Sequence, residues 1–157
     1  MSRRNLRDFI FESNRIEGIV RSAKMSEIEA HETLLAQPTL RVVDIIEFVH
    51  TICRAPLRKE VGMNVYVGDH VPPPGGPDIA HALELILLAV NTNSVDPYEA
   101  HCRYETLHPF IDGNGRSGRA IWLWHKKQRG EFENAIALGF LHSWYYESLQ
   151  GHEGRNK

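Results

Sequence analysis

Over most of this chain the apolar positions recur every three or four residues, the spacing of helices rather than strands. From Leu40 to Cys53, Val42, Val43, Ile45, Ile46, Val49 and Ile52 keep that period and strict alternation fails, which predicts a buried helix. Ser26 and Glu29 form a capping-box pattern ahead of Ile28, Leu34 and Leu35, predicting a helix that stops near Gln37-Pro38, with Thr39 placed to cap the next. Pro77 and Asp78 suit a first helical turn, so Ile79 to Val90 reads as a central helix. Asp96-Pro97-Tyr98-Glu99 repeats the arrangement: Asp96 is the cap and Glu99 the third position of a helix reaching about Leu107. Further helices are expected over Arg116 to Gln128, stopped by Gly130, and over Glu133 to Leu149.

Two segments depart from this period. Between Gly62 and Gly76, Met63, Val65 and Val67 alternate with Asn64 and Tyr66 before Gly68-Asp69 and a triple proline, the pattern of a small hairpin or flap. His108 to Gly115 is broken by Pro109 and reads as a glycine-rich loop between two helices. The fold class is therefore mostly α, a single helical domain with a small β-hairpin flap.

Composition narrows the classes without changing this picture. A length of 157 residues is about one average domain, and 42% apolar with 24% charged residues excludes disordered, collagen-like and membrane-spanning chains. The longest apolar stretch, Leu85 to Val90, is far shorter than a membrane helix, and Phe9-Ile10-Phe11 is too short for an export signal. A formal charge of -2 provides no global field for nucleic acid or anionic lipid, so neither nucleic acid nor a membrane is an expected partner and any anion site is local. Cys53 and Cys102 lack a Cys-x-x-Cys spacing, which suits a reduced, cytoplasmic chain. The nine histidines show no zinc spacing, and Arg54, Arg58, Lys59, Lys126, Lys127 and Arg129 read as solvated faces.

The chemistry concentrates in His108 to Arg119, HPFIDGNGRSGR. Gly113-x-Gly115-x-x-Gly118 formally matches a dinucleotide fingerprint, but that motif needs a preceding strand and here the preceding pattern is helical. What remains is helix, glycine loop, helix: a backbone N-H nest at a helix start, which favours phosphate. Arg116 and Arg119, three apart, can fork onto phosphate oxygens, and cations at a helix start call for a bound anion or carboxylate. Asp112 is a single carboxylate beside such a nest and suits Mg²⁺; a neutral His108 imidazole can accept a hydroxyl proton. Phe110 reads as a core anchor for the loop.

This stretch resembles, without departure, the Fic-domain signature His-x-Phe-x-Asp/Glu-Gly-Asn-Gly-Arg-x-x-Arg, and the helix order and a flap ending in Val71-Pro72-Pro73-Pro74 are also similar. The resemblance implies a protein adenylyltransferase that moves AMP from ATP to a Ser, Thr or Tyr hydroxyl of a target protein and releases pyrophosphate. It implies His108 as the base and Asp112 as the Mg²⁺ ligand. Gly113, Asn114 and Gly115 would hold the α and β phosphates, Arg116 the β phosphate and Arg119 the γ phosphate. The flap, with Val65, Tyr66 and Val67, would pair with an extended target segment. Trp144-Tyr145-Tyr146 falls where the family places adenine-facing side chains, although at helical spacing such residues more often belong to a core.

Ser13-Asn14-Arg15-Ile16-Glu17-Gly18 resembles the family's inhibitory pattern, Ser/Thr-x-x-x-Glu-Gly/Asn, carried N-terminal to the core. Ser13 and Glu17, four apart, share a helical face, and Glu17 is expected to pair with Arg119, with Glu12 a weaker rival. The implied organisation is an inhibitory helix segment over 1–22, a Fic-like catalytic core over 23–150 and a frayed tail over 151–157. Three alternatives stand beside AMP transfer. The same residues can remove AMP from modified proteins. Doc-type relatives transfer the γ phosphate, but their motif departs at the second glycine and Gly115 argues against that reading. A catalytically silent nucleotide-binding module would have no use for Glu17. The target is not legible, and a homo-oligomer is left open.

Overall fold

A run of ten consecutive buried residues, Arg116 to His125, marks the helix around which this molecule is assembled, because a surface helix would expose one side of that run. The computed structural model describes the backbone of residues 3–155 and the side chains of residues 6–149. Among the described residues the helices are α1 (Arg3–Ile16), α2 (Met25–Leu35), α3 (Val42–Cys53), α4 (Pro77–Asn91), α5 (Pro97–Leu107), α6 (Asn114–Gln128), α7 (Phe132–Leu138) and α8 (Phe140–Arg155). The mostly α fold is as expected. α6 is the enclosed helix, packed by α1, α2, α3, α5 and α7. α1 offers it Leu6, Phe9, Ile10 and Ser13, one helical stripe, with the Phe9 ring parallel to Trp122. No described helix is long and apolar enough to cross a membrane, and Cys53 and Cys102 form no disulfide.

The helix starts follow the expected chemistry with shifted registers. Asp96 caps α5 by accepting the Glu99 N–H at 2.8 Å, and α4 opens on Pro77. α2, however, is closed by Glu27, which accepts the Lys24 N–H at 2.8 Å, rather than by Ser26 and Glu29. Glu27 is buried and also engages Asn14 and Arg21, so tertiary contacts choose the register. α3 likewise starts with Asp44 accepting the Arg41 N–H at 2.9 Å, and Thr39 is not its cap. The single last helix expected over 133–149 is two. The chain leaves helix at Gly139, whose φ of 82° favours glycine, and α8 restarts with Glu12 of α1 accepting the Leu141 N–H at 3.0 Å. Helical backbone continues to Arg155; residues 156–157 of the expected tail lie outside the described residues.

The flap is sparser than a laddered hairpin. One antiparallel bridge, Val67 with His70, closes the Gly68-Asp69 turn through N–H···O bonds of 3.0 and 2.9 Å. The prolines that follow cannot donate to a ladder. A second bridge, Leu57 with Phe110, fastens the segment after α3 to the loop after α5. Two of the cations read as solvated are not so. Arg58 is 0% exposed, and Lys126 is half-buried and pairs with Glu131 and Glu147; Lys127 is exposed as expected, while donating to the Leu35 carbonyl at 2.8 Å. Their long apolar stems pack while their charged ends find oxygen partners, which a residue-by-residue reading of charge does not reveal.

Candidate active site

The loop between α5 and α6 is held from both ends. α5 stops at His108, which adopts the left-handed conformation at φ 51°, uncommon for a residue with a side chain. Two residues on, Phe110 is buried in the core, as expected. The Asn114 side chain then closes the loop by donating to the Phe110 carbonyl at 2.8 Å and accepting the Phe110 N–H at 2.9 Å. That amide is therefore satisfied within the loop, and what Asn114 offers a ligand is its backbone N–H. Gly113 sits at φ 82°, and a Cβ there would lie 2.7 Å from the Cys53 sulfur, so the loop is clamped onto α3 at a point only glycine fits. Behind it, the Ser117 hydroxyl donates to the Gly113 carbonyl at 2.7 Å and contacts the Tyr104 hydroxyl at 2.6 Å. The first amides of α6, those of Asn114, Gly115 and Arg116, have no intrahelical acceptor and form an anion-binding start.

A carboxylate of the chain already lies over that start. Arg119, buried, donates through Nε to Ser13 Oγ at 2.8 Å and through Nη2 to the Ser13 carbonyl at 2.9 Å and Glu17 Oε1 at 2.7 Å. A Cβ built on Gly115 would collide with the Glu17 carboxylate, so absence of a side chain at 115 is what lets this group come down on the helix. The α1 stripe delivers Ser13, and the chain turns after Ile16, placing Glu17 just past the helix. Glu12 is occupied elsewhere, at the start of α8. The turn is braced by Glu27, which takes Asn14 Nδ2 at 3.2 Å on one side and Arg21 Nη1 at 2.8 Å on the other. Burial alone would raise the Glu27 carboxyl, but the hydrogen bonds from Arg21 and from the Lys24 amide bring it below its usual range. Sequence reasoning missed Glu27 because Ser26 and Glu29 offered a more familiar capping pattern.

The groups facing the loop are tuned by burial. His108 is half-buried, which lowers its pKa; the Glu105 carbonyl opposes this, while the charges of Arg58 and His70 add to it and that of Glu17 opposes. Its imidazole is neutral at pH 7, and its buried Nδ1 lacks a well-formed hydrogen bond. Glu105, one turn earlier on α5, is pushed up to about 7 by burial, against the pull of Arg119. His101, 3.6 Å from it, is held down to about 4, again by burial, so the two form no ion pair at neutral pH. Arg116 is buried with its Nε unpartnered. Asp112 is exposed and accepts the Gly113 N–H at 2.8 Å through one oxygen. Among the described residues no three His, Cys, Asp or Glu side chains converge as a metal cage.

The flap stands beside this loop, joined to it by Arg58 and by His70, whose Nε2 lies 2.8 Å from the Thr106 carbonyl. Tyr66 is 77% exposed, Val67 is also exposed and Val65 is half-buried; the main chain of Val65 and Tyr66 makes no hydrogen bond within the described residues, leaving an open edge. Of the aromatic run, Trp144 packs on Tyr98, His101 and Phe140, whereas Tyr145 and Tyr146 are exposed. The expected site residues thus fall into two groups that meet at the start of α6. Ser13, Glu17, Gly115 and Arg119 form one cluster, and His108, Asp112, Gly113 and Asn114 build the adjoining loop.

Stretches of this chain resemble proteins named protein adenylyltransferase Fic from three fruit flies. The relative from Drosophila grimshawi is 42% identical over 36% of this chain and 13% of its own length. That from Drosophila persimilis is 44% identical over 36% of this chain and 12% of its own length, and that from Drosophila mojavensis 39% identical over the same shares. The matched stretch is therefore about an eighth of those relatives. A family model described as the Fic/DOC family matches residues 28–125, from the first turn of α2 nearly to the end of α6, and so takes in the whole loop and its cradle. With well over half of its length matched by that model, this chain belongs to the Fic/DOC family.

Proposed function

We propose that this chain transfers AMP from ATP to a hydroxyl side chain of a target protein, and that Glu17 holds it in a self-inhibited state. The observation that carries the reading is the Glu17 carboxylate lying on Gly115 and Arg119 at the N-terminal end of α6. A site that binds its own carboxylate through a helix start and a buried guanidinium is built for an anion with several oxygens, and a triphosphate is such an anion. The relatives' name, protein adenylyltransferase, supports the choice of nucleotidyl transfer.

On this reading the turn at Gly113 and the free amides of Asn114 and Gly115, with Arg116, hold the α and β phosphates, and Arg119, once free of Glu17, holds the γ phosphate. The target hydroxyl is laid in by main-chain pairing with the flap edge at Val65, Tyr66 and Val67. Its oxygen attacks the α phosphorus as its proton passes to the neutral His108 imidazole. The bond between the α phosphorus and the bridging oxygen to the β phosphate breaks, and pyrophosphate leaves with that bond's electrons. Asp112 is a lone outward carboxylate beside the phosphate cradle, which fits Mg²⁺ completing its shell with phosphate oxygens and water; when bound, the ion would neutralise charge on the departing pyrophosphate. Catalysis is then positioning and charge compensation, with no covalent intermediate on the protein.

The test is to incubate a Glu17→Gly variant in cell extract with ATP labelled at either the α or the γ phosphate. Protein-bound α label is the expected result. Protein-bound γ label would mean phosphate transfer, and absence of both would leave a nucleotide-binding module.

A further inference from the structure

We propose that Arg58 is a positioning residue that ties the setting of His108 to the flap, so that one guanidinium fixes the register between a target segment and its base. This rests on the reading of His108 as the base, but the geometry behind it is independent of which group is transferred. Arg58 is 0% exposed, and among the described residues no carboxylate comes within ion-pair reach of it. Every side-chain hydrogen bond it makes goes to a main-chain carbonyl. Nε donates to His108 at 2.8 Å and Nη2 to Leu107 at 2.9 Å; Nη1 donates to Pro73 at 2.8 Å and Met63 at 3.1 Å. Its own N–H donates to the Pro109 carbonyl at 2.9 Å, and its carbonyl accepts the Gly76 N–H at 3.0 Å.

Two things follow from these partners. Leu107 and His108 end α5, where the last carbonyls carry the negative end of the helix dipole, so the guanidinium replaces a counter-ion with oriented backbone. His108 is also left-handed, a conformation that persists only where the surroundings over-determine it; the bond from Arg58 Nε to its carbonyl is such a constraint and sets the direction in which the imidazole leaves the backbone. Met63 and Pro73, in turn, are the two roots of the flap on either side of Val65 to Val67. A strand laid along the flap edge is thus referred, through one planar group, to the residue that takes its proton. The fork geometry matters, since an ammonium in the same place can satisfy only part of this set.

The experiment uses Arg58→Lys and Arg58→Gln in the Glu17→Gly chain, with ATP and ATP labelled at the α phosphate as probes. Folding is checked by circular dichroism. Calorimetry reads ATP affinity, label incorporation into the chain itself reads the rate, and NMR reads His108 titration together with amide exchange at Val67 and His70. Expected are ATP affinities within about twofold of the parent, because the cradle on α6 does not touch Arg58, and a rate lower by on the order of 10²-fold for Gln with partial recovery for Lys. His108 should titrate higher in Arg58→Gln and near the parental value in Arg58→Lys, since burial, the Glu105 carbonyl and His70 act on it in parent and variant alike, Glu17 is absent from both, and only the charge at 58 changes. Flap amides should exchange faster in both. Should Arg58→Gln not fold, the rate loss at unchanged ATP affinity in Arg58→Lys carries the test. Folded variants with the parental rate, or a rate that falls only in step with ATP affinity, would overturn the proposal. If the Glu17→Gly parent itself takes up no α label, AMP transfer is the reading that has failed; unmoved His108 titration and flap exchange would then overturn the role of Arg58, and shifts in both would sustain it.

Discussion

If Glu17 is inhibitory as proposed, replacing it by glycine separates regulation from folding. The Glu17 side chain is 38% exposed, so its ion pair with Arg119 contributes about 1 kcal/mol or less to stability. Arg119 keeps both hydrogen bonds to Ser13 after the change, and a glycine adds roughly 0.5 to 1 kcal/mol of backbone entropy cost. The sum is about 0.5 to 2 kcal/mol, a melting temperature lower by roughly 1 to 8 °C. The effect on rate should be much larger. On the proposed reading a triphosphate cannot seat its last phosphate while the carboxylate sits on Gly115 and Arg119, and a misplacement of the reacting phosphorus costs on the order of 10²-fold, or about 2.7 kcal/mol of barrier. Initial rates of α-label uptake should therefore rise about 10²-fold in Glu17→Gly. Glu17→Gln keeps the volume and loses the charge, and should rise by roughly a tenth of that. Arg119→Ala added to Glu17→Gly should lower the gain again, because the two residues share one site. A Glu17→Gly chain that is folded by circular dichroism and no faster than wild type would refute the reasoning, as would a double variant as fast as the single one.

Other expectations follow from the same geometry. His108→Ala should abolish transfer and leave ATP binding within a few-fold by calorimetry, because the proposed mechanism has the imidazole take the hydroxyl proton and bind no phosphate. Asp112→Ala should leave a low rate that no longer responds to Mg²⁺, read by titrating the metal at fixed ATP. Stability should fall as the solution is acidified. His31, His101 and His125 are held to about 4 in the fold by burial against an ordinary 6.5, so between those values the unfolded chain binds more protons. Their stabilising contribution is complete above about pH 6.5 and is lost as pH falls towards 4. Glu105, raised to about 7 by burial, acts oppositely between 4.5 and 7, leaving a net uptake of close to two protons. The slope near pH 5.5 is about 2 kcal/mol per pH unit, measurable by urea unfolding; a flat profile would contradict it.

Much of this fold is written in local signals. The Asp96 cap, the Pro77 start and the stop after Leu107 are set by residues within a turn of each boundary, and all three are found where their chemistry puts them. The loop 108–119 was legible because its residues act on their neighbours: Gly113 needs its φ, and Asn114 bonds Phe110 four residues away. The pairing of Glu17 with Arg119 spans about two thirds of the chain, yet it was accessible because a carboxylate and a buried guanidinium are natural partners and a motif flagged each. Arg58 and Glu27 had no such flag. Their partners are carbonyls of the flap and the α5 terminus, or side chains of the turn after α1, and only the tertiary fold brings these together. The break at Gly139 was missed for a similar reason, since the Glu12 carboxylate that caps α8 comes from the other end of the chain.

The central claim is that the α6 start, freed of Glu17, passes AMP to a hydroxyl whose proton His108 removes. Intact-mass spectrometry of the purified Glu17→Gly chain after incubation with ATP and Mg²⁺, beside a Glu17→Gly, His108→Ala chain, tests it most directly. The account predicts a mass increment of one AMP moiety in the first and none in the second. An increment of a single phosphate, or an AMP increment of equal extent in both chains, would contradict it.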